Sequence, residues 1–147
     1  MKLMVINGPN LNLLGLREPE LYGKADYTAL CAGIEAYAAQ KRITVDILQS
    51  NHEGELIGWV QQAYFRGYDG VILNPAGYTH TSVALLDAVK AIPIPVVEVH
   101  LTDPDQREDF RRVSFVRQGC LATCAGLGFA SYYRAMDLLL AHSEQKG

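Results

Sequence analysis

Apolar positions along this chain recur with two alternating periods. Short β-rich runs fall at Leu3 to Asn7, Thr44 to Gln49, Gly70 to Asn74, Pro95 to His100 and roughly Cys120 to Ala125, and these predict five strands. They read as largely continuous apolar stretches, the pattern of parallel strands covered on both faces. Between them the period lengthens to that of a helix. Tyr27, Leu30, Cys31, Ile34, Tyr37 and Ala38 share one apolar face, and Leu56, Trp59, Val60 and Ala63 share another. Val83, Leu86, Val89 and Lys90 repeat the spacing less cleanly. A last helix over about Ala130 to His142 carries Tyr133, Met136, Asp137 and Leu140 on one stripe.

Strands alternating with helices imply right-handed βαβ crossovers and an open parallel sheet. The expected fold class is therefore α/β, and a flavodoxin-like three-layer arrangement is expected, with a five-stranded parallel sheet whose order in that arrangement is 2-1-3-4-5. No linker, repeat or low-complexity tract interrupts the pattern, so residues 1–147 are expected to form one domain. In such a sheet, ligands bind beyond the carboxyl ends of the strands where the strand order reverses, here between the first and third strands. The first strand ends in Asn7, Gly8, Pro9 and Asn10; the third runs into NPAGYTHTS; the fourth ends in Glu98, His100, Leu101 and Thr102. Amide, hydroxyl and imidazole groups thus converge on one crevice. The stretch Val5 to Gly23 leaves the first strand and spends about a dozen residues as a polar connection ending in Arg17, Tyr22 and Gly23. A connection that long in a compact domain is usually a lid or binding loop.

Composition narrows the function. The chain is 49% hydrophobic and 20% charged, an ordinary globular balance. Its 147 residues suffice to bury a core without metal or disulfide staples. Thirteen Lys and Arg against sixteen acids leave a net charge of -3, which argues against a nucleic-acid partner despite a small cluster at Arg107, Arg111, Arg112 and Arg117. Cys31, Cys120 and Cys124 show neither metal spacing nor a CxxC pair and are read as small buried thiols in a reducing compartment. No run is long enough for a membrane span, and the N-terminus enters a strand-like run directly, so no membrane association and a cytoplasmic location are expected. No metal motif and no GxGxxG or P-loop pattern follows the first strand, while Gly126, Leu127 and Gly128 suggest a strand-to-helix turn.

Several constellations carry chemistry. Glu98 and His100 stand two apart on a strand and so share a face. A carboxylate beside an imidazole sets its tautomer and raises its basicity, which suits a general acid near neutral pH, although a structural pair would look the same. In NPAGYTHTS, Thr81 or Ser82 is a candidate helix N-cap, which leaves Asn74 and His80 unexplained by capping. A small polyol or carboxylate would be well held by those groups near a helix N-terminus. Tyr22 could be a packing residue; as a base it must ionise, and a phenol with a pKa near ~10 is roughly 0.1% ionised at pH 7, a handicap of about 4 kcal/mol. A nearby guanidinium, from Arg17 or the Arg107/Arg111 pair, would recover much of it. Arg107 and Arg111 are four apart and would share a face of a helical turn, either as a solvated salt-bridged turn or reaching over the crevice to bind an anion.

At these residues the sequence resembles the type II 3-dehydroquinate dehydratases. INGPNLNLLGLREPELYG, QSNHEGEL, NPAGYTHTSVAL, EVHLTD and REDFR are similar to that family's signature blocks, in the right order from Ile6 to Arg111. The resemblance implies a cofactor-free anti elimination of water from 3-dehydroquinate through an enolate, in the shikimate pathway. It implies Tyr22 as the base that takes the C2 proton and His100, paired with Glu98, as the acid that protonates the departing C1 hydroxyl. Arg17 would stabilise the enolate-like transition state from a mobile lid, and Asn10 would hold a water against the enolate oxygen. Arg107 would lower the tyrosine pKa, and Asn74, His80, Leu101, Thr102 and Arg111 would contact substrate. Asp87 would reach a neighbouring subunit's site in a homododecamer, a tetramer of trimers. No lysine is positioned for a Schiff base, which separates this reading from the type I mechanism.

Three positions depart from the usual pattern: Leu86 stands for an arginine, Asp103 for an asparagine, and a histidine after the arginines is absent, with Val113 and Phe115 nearby. Rival readings are a non-catalytic flavodoxin-like ligand-binding module, a related dehydratase with another substrate, or quinate-catabolic use of the same reaction. A phosphoacceptor module would want acids where Asn7 and Asn10 stand, and an FMN carrier a hydroxyl-rich phosphate loop where Gly8-Pro9-Asn10 stands.

Overall fold

Successive residues of β1 (Lys2–Asn7) enter two different cores. Leu3 and Val5 pack on one side and Met4 and Ile6 on the other, because side chains alternate across a strand. In this computed structural model, which describes residues 1–16 and 25–146, the same division runs through β3 (Gly70–Asn74) and β4 (Val96–His100), which like β1 are buried on both faces. With β2 (Thr44–Gln49) and β5 (Ala122–Ala125) they form a parallel sheet in the order β2-β1-β3-β4-β5, the order expected of a flavodoxin-like arrangement. β2 differs from the expectation of continuous burial. It lies at the sheet edge and exposes Thr44 and Asp46.

Two helices cover each face. Leu30, Ile34 and Ala38 of α1 (Tyr27–Gln40) join Tyr132, Ala135, Met136 and Leu139 of α4 (Ala130–Lys146) over Leu3, Val5, Ile72, Val97 and Val99. Leu56, Val60 and Ala63 of α2 (Glu53–Phe65) join Leu85, Ala88 and Val89 of α3 (Val83–Ala91) over Met4, Ile6, Val71 and Leu73. The faces expected for α1 and α2 are those observed. In α3 the buried stripe is Leu85, Leu86, Ala88 and Val89, while Val83 and Lys90 are exposed. The expected i, i+3 row crosses the true face only at Leu86 and Val89. In α4 the stripe is turned by about one residue, so that Tyr132 is buried and Tyr133, Asp137 and Leu140 flank it. Asp137 accepts the Tyr37 hydroxyl at 2.9 Å and Tyr133 stacks on the Tyr37 ring, so these flanking residues tie α4 to α1 at the rim.

The strand-to-helix turn at Gly126 and Gly128 takes φ values of 81° and 60°, a left-handed conformation that glycine adopts without strain. Cys124 is buried, whereas Cys31 and Cys120 are half-buried, which corrects the reading of all three as buried; burial pushes each thiol up, Cys120 to about 12. Among the described residues no helix is long and apolar enough to cross a membrane.

Candidate active site

The carboxyl ends of β2, β1 and β3 finish level, because Asn7 pairs with Gln49 on one side and with Asn74 on the other. The Gly8 amide donates to the Asn74 carbonyl at 2.8 Å. A Cβ on Gly8 would stand 2.7 Å from the Pro75 carbonyl oxygen, so only glycine lets the two strand exits come this close. Beyond it the chain turns through Asn10 at φ 71°, a left-handed conformation that asparagine tolerates better than most residues. The Asn10 amide donates to Asn51 Oδ1 at 3.0 Å, and Gln49 Nε2 reaches the Gly8 carbonyl and Asn51 Oδ1, each at 3.2 Å. The polar side chains that end β2 therefore hold the turn that carries Asn10.

A cavity of about 150 Å³ opens at this point. Asn10, Asn74, His80, His100, Leu101, Thr102, Arg107 and Arg111 line it, together with Pro9, Leu11, Ala76, Gly77 and Pro104. The arginines arrive by a route other than the expected helical turn. Two 3-10 turns, Pro104–Gln106 and Asp109–Arg111, flank an extended Arg107, and both guanidinium-bearing residues still reach the cavity wall. Arg111 Nε donates to the Glu108 carboxylate, and its guanidinium lies 5.1 Å from the Phe110 ring centre. Of the capping candidates, Ser82 is the N-cap, accepting the Leu85 amide at 2.9 Å, and neither it nor Thr81 lines the cavity. Asp87 is exposed on α3 and lies apart from the cavity. Arg17 and Tyr22 fall outside the described residues.

Glu98 and His100 share a face as their spacing requires, yet only His100 lines the cavity. Glu98 lies behind it, with no exposed surface, and its Oε2 is 3.3 Å from His100 Nε2. That leaves Nδ1 as the imidazole nitrogen available to a ligand. Ser114 donates to Oε1 at 2.7 Å, while Thr123 and Arg117 donate to Oε2 at 3.3 and 3.4 Å. Burial alone would raise the pKa of this carboxyl, but His100, Ser114 and Arg117 together outweigh it and hold the group below the usual carboxylate range. His80 is arranged in the opposite sense. Its Nδ1 donates to the Val113 carbonyl at 2.7 Å, and burial, with Arg111 and His100 adding to it, lowers its pKa. A neutral imidazole so anchored presents Nε2 as an acceptor for a ligand hydroxyl.

Sequence reasoning missed the support beneath Asn74. Its Nδ2 donates to the Tyr132 hydroxyl at 3.0 Å, that hydroxyl donates to Asn7 Oδ1 at 2.6 Å, and Asn7 Nδ2 donates to the Tyr27 hydroxyl at 3.2 Å. Asn74 Oδ1 accepts the Ala76 amide at 3.1 Å, which steadies Ala76 at φ 52°. Burial raises the pKa of Tyr132 far above that of a free phenol and that of Tyr27 to about 12, so both stay protonated donors. The available signal was a tyrosine on the apolar stripe of α4, whose hydroxyl needs a partner once buried.

This geometry has close relatives. Residues 1–140 match the Dehydroquinase class II family. The chain belongs to the class II dehydroquinase family. It is 49% identical to the 3-dehydroquinate dehydratase of Fusobacterium nucleatum, over 97% of this chain and 98% of that protein. It is 48% identical to the corresponding protein of Thermus thermophilus, over 99% and 97%. The crystal structure of the type II dehydroquinase from Butyrivibrio crossotus superposes with a TM-score of 0.94 at 44% identity, covering 95% of this chain and 97% of that one. The three positions noted in the sequence as departures each have a local account. Leu86 is turned inward, its Cδ1 lying 3.1 Å from where a Cβ on Gly119 would stand. Asp103 caps a 3-10 turn by accepting the Asp105 amide at 3.0 Å. Val113 serves His80 through its main-chain carbonyl, which any side chain there would leave in place.

Proposed function

We propose that this chain dehydrates 3-dehydroquinate to 3-dehydroshikimate by the type II route, as an enzyme of the shikimate pathway. The observation that carries the reading is the arrangement of His100, backed by the buried Glu98, opposite Asn10, Asn74, His80, Arg107 and Arg111 in one cavity of a class II dehydroquinase. The proton to be removed is α to a carbonyl. Tyr22, ionised with help from Arg107, takes it from C2, and the electron pair moves onto the carbonyl oxygen as an enolate. Arg17 and a water held by Asn10 stabilise that oxygen while charge develops on it. The enolate then collapses to the conjugated enone, the C1–O bond breaks, and His100 delivers a proton so that the hydroxyl leaves as water. Glu98 compensates the imidazolium before that transfer. His80 accepts from a ring hydroxyl, and Arg111, Asn74 and the Leu101–Thr102 segment bind the remaining polar groups. We further propose that residues 1–147 act as one catalytic domain in the cytoplasm.

The test is turnover. Purified protein supplied with 3-dehydroquinate should produce the absorbance of a conjugated enone carboxylate, with chelator present, and Tyr22→Phe should abolish it while substrate affinity stays within about tenfold. Absence of an absorbance rise with ample wild-type protein would overturn the proposed reaction; full activity of Tyr22→Phe would overturn only the choice of base.

A further inference from the structure

A carboxylate with no exposed surface pays a large desolvation cost to stay charged unless a partner compensates it. The groups acting on Glu98 come from every element around it. His100 shares its strand, Thr123 donates from β5, Ser114 approaches from the segment that leads into the 3-10 turn Val116–Gly119, and Arg117 from that turn itself. Cys120 faces it with a thiol that burial and the Glu98 charge keep protonated, and His80 feels it from the turn Ala76–His80. Ser114 and Thr123 are neutral donors. The charge on His100 disappears each time that ring gives up its proton. Among the described residues in contact with Glu98, Arg117 is the cation that persists through that step.

We propose that Arg117 is a positioning residue for the dehydration: holding Glu98 Oε2 from the solvent side, it keeps that carboxylate charged and aimed at His100 as the pH falls. The proposal rests on His100 being the general acid of the reaction proposed above. Arg117 Nε and His100 Nε2 meet the same oxygen, at 3.4 and 3.3 Å. Its backbone is placed for this, because the Arg117 amide donates to Ser114 Oγ at 3.1 Å, and Val116 is fully buried. A Cβ on Gly119 would lie 3.1 Å from side-chain atoms of Leu86, Val89 and Lys90, so the turn is pressed onto α3. Without Arg117, the proton released in the pocket has a competing destination. Glu98 then takes it at a higher pH than in the wild type, and where it does the imidazole loses its orienting charge.

The sign follows from the direction of the Glu98 shift. A carboxylate held below its usual range is charged above its own pKa, and a rate that needs the charge is lost as pH falls through that value. Removing Arg117 removes a lowering influence, so the loss begins at higher pH. In Arg117→Met and Arg117→Gln, the acid limb of the kcat profile should move up by about half a unit to one unit. KM should stay within about twofold, and Arg117→Lys should restore at least half of the shift. The carboxyl carbon resonance of Glu98 in the free protein, assigned with Glu98→Gln, should titrate with the same displacement. An unmoved acid limb and an unmoved resonance in folded Arg117→Met or Arg117→Gln would overturn the proposal, as would a lysine variant displaced as far as the methionine one. Should wild-type protein not dehydrate 3-dehydroquinate, the proposed function falls, and the Glu98 titration still decides whether Arg117 holds that carboxylate.

Discussion

His80 and His100 sit in the same cavity and are prepared for opposite tasks by what lies behind them. Burial lowers the pKa of His80 and favours the neutral ring, whose Nδ1 proton the Val113 carbonyl holds in place, while His100 has a buried carboxylate at its Nε2. Asn74 depends in turn on Tyr132. Tyr132→Phe would remove one hydroxyl and leave two buried amides, those of Asn7 and Asn74, each short of a partner. The expected loss is about 1–3 kcal/mol of stability, read from the denaturation midpoint at constant slope, with a rise in KM as Asn74 loses its orientation. An unchanged midpoint would mean that water replaces the hydroxyl. The Glu98–His100 pair was legible in the sequence because it spans two residues of one strand. The Tyr132 network was not, since its bonds join residues 58 and 125 positions apart.

At the scale of elements, the site depends on how closely two strand exits approach. Gly8 against Pro75 sets that distance, and a methyl group there must displace main-chain atoms rather than a yielding side chain. Gly8→Ala is therefore expected to cost about 1–3 kcal/mol and to lower kcat/KM at least tenfold, checked by thermal denaturation alongside the turnover assay. Strand positions were read to within about two residues, because continuous apolar runs between helical stretches leave little choice. The phases of α3 and α4 were not. Each helix offers several overlapping apolar rows, and the sheet it lies on chooses among them. The Arg107 and Arg111 placement shows the same limit, since spacing by four suggested an α-helical turn and the chain uses two short 3-10 turns to reach the same wall.

For the molecule as a whole, Asp87 stands exposed on α3, away from its own chain's cavity. We propose a homododecamer built as a tetramer of trimers. Sedimentation velocity should then report a large symmetric species, and a stable, fully active monomer would count against Asp87 reaching a neighbouring subunit's site. By itself, the order of apolar runs determined the layers and the parallel sheet, because hydrophobic periodicity and the handedness of βαβ crossovers leave few other topologies. The ordered motifs determined the family. Tertiary structure alone decided which groups stand behind the reactive ones: Arg117, Ser114 and Thr123 around Glu98, Tyr132 beneath Asn74, Gln49 and Asn51 beneath Asn10. These partners come from elements distant in sequence, and a hydrogen bond depends on where folded chain segments meet, which no local pattern of residues records.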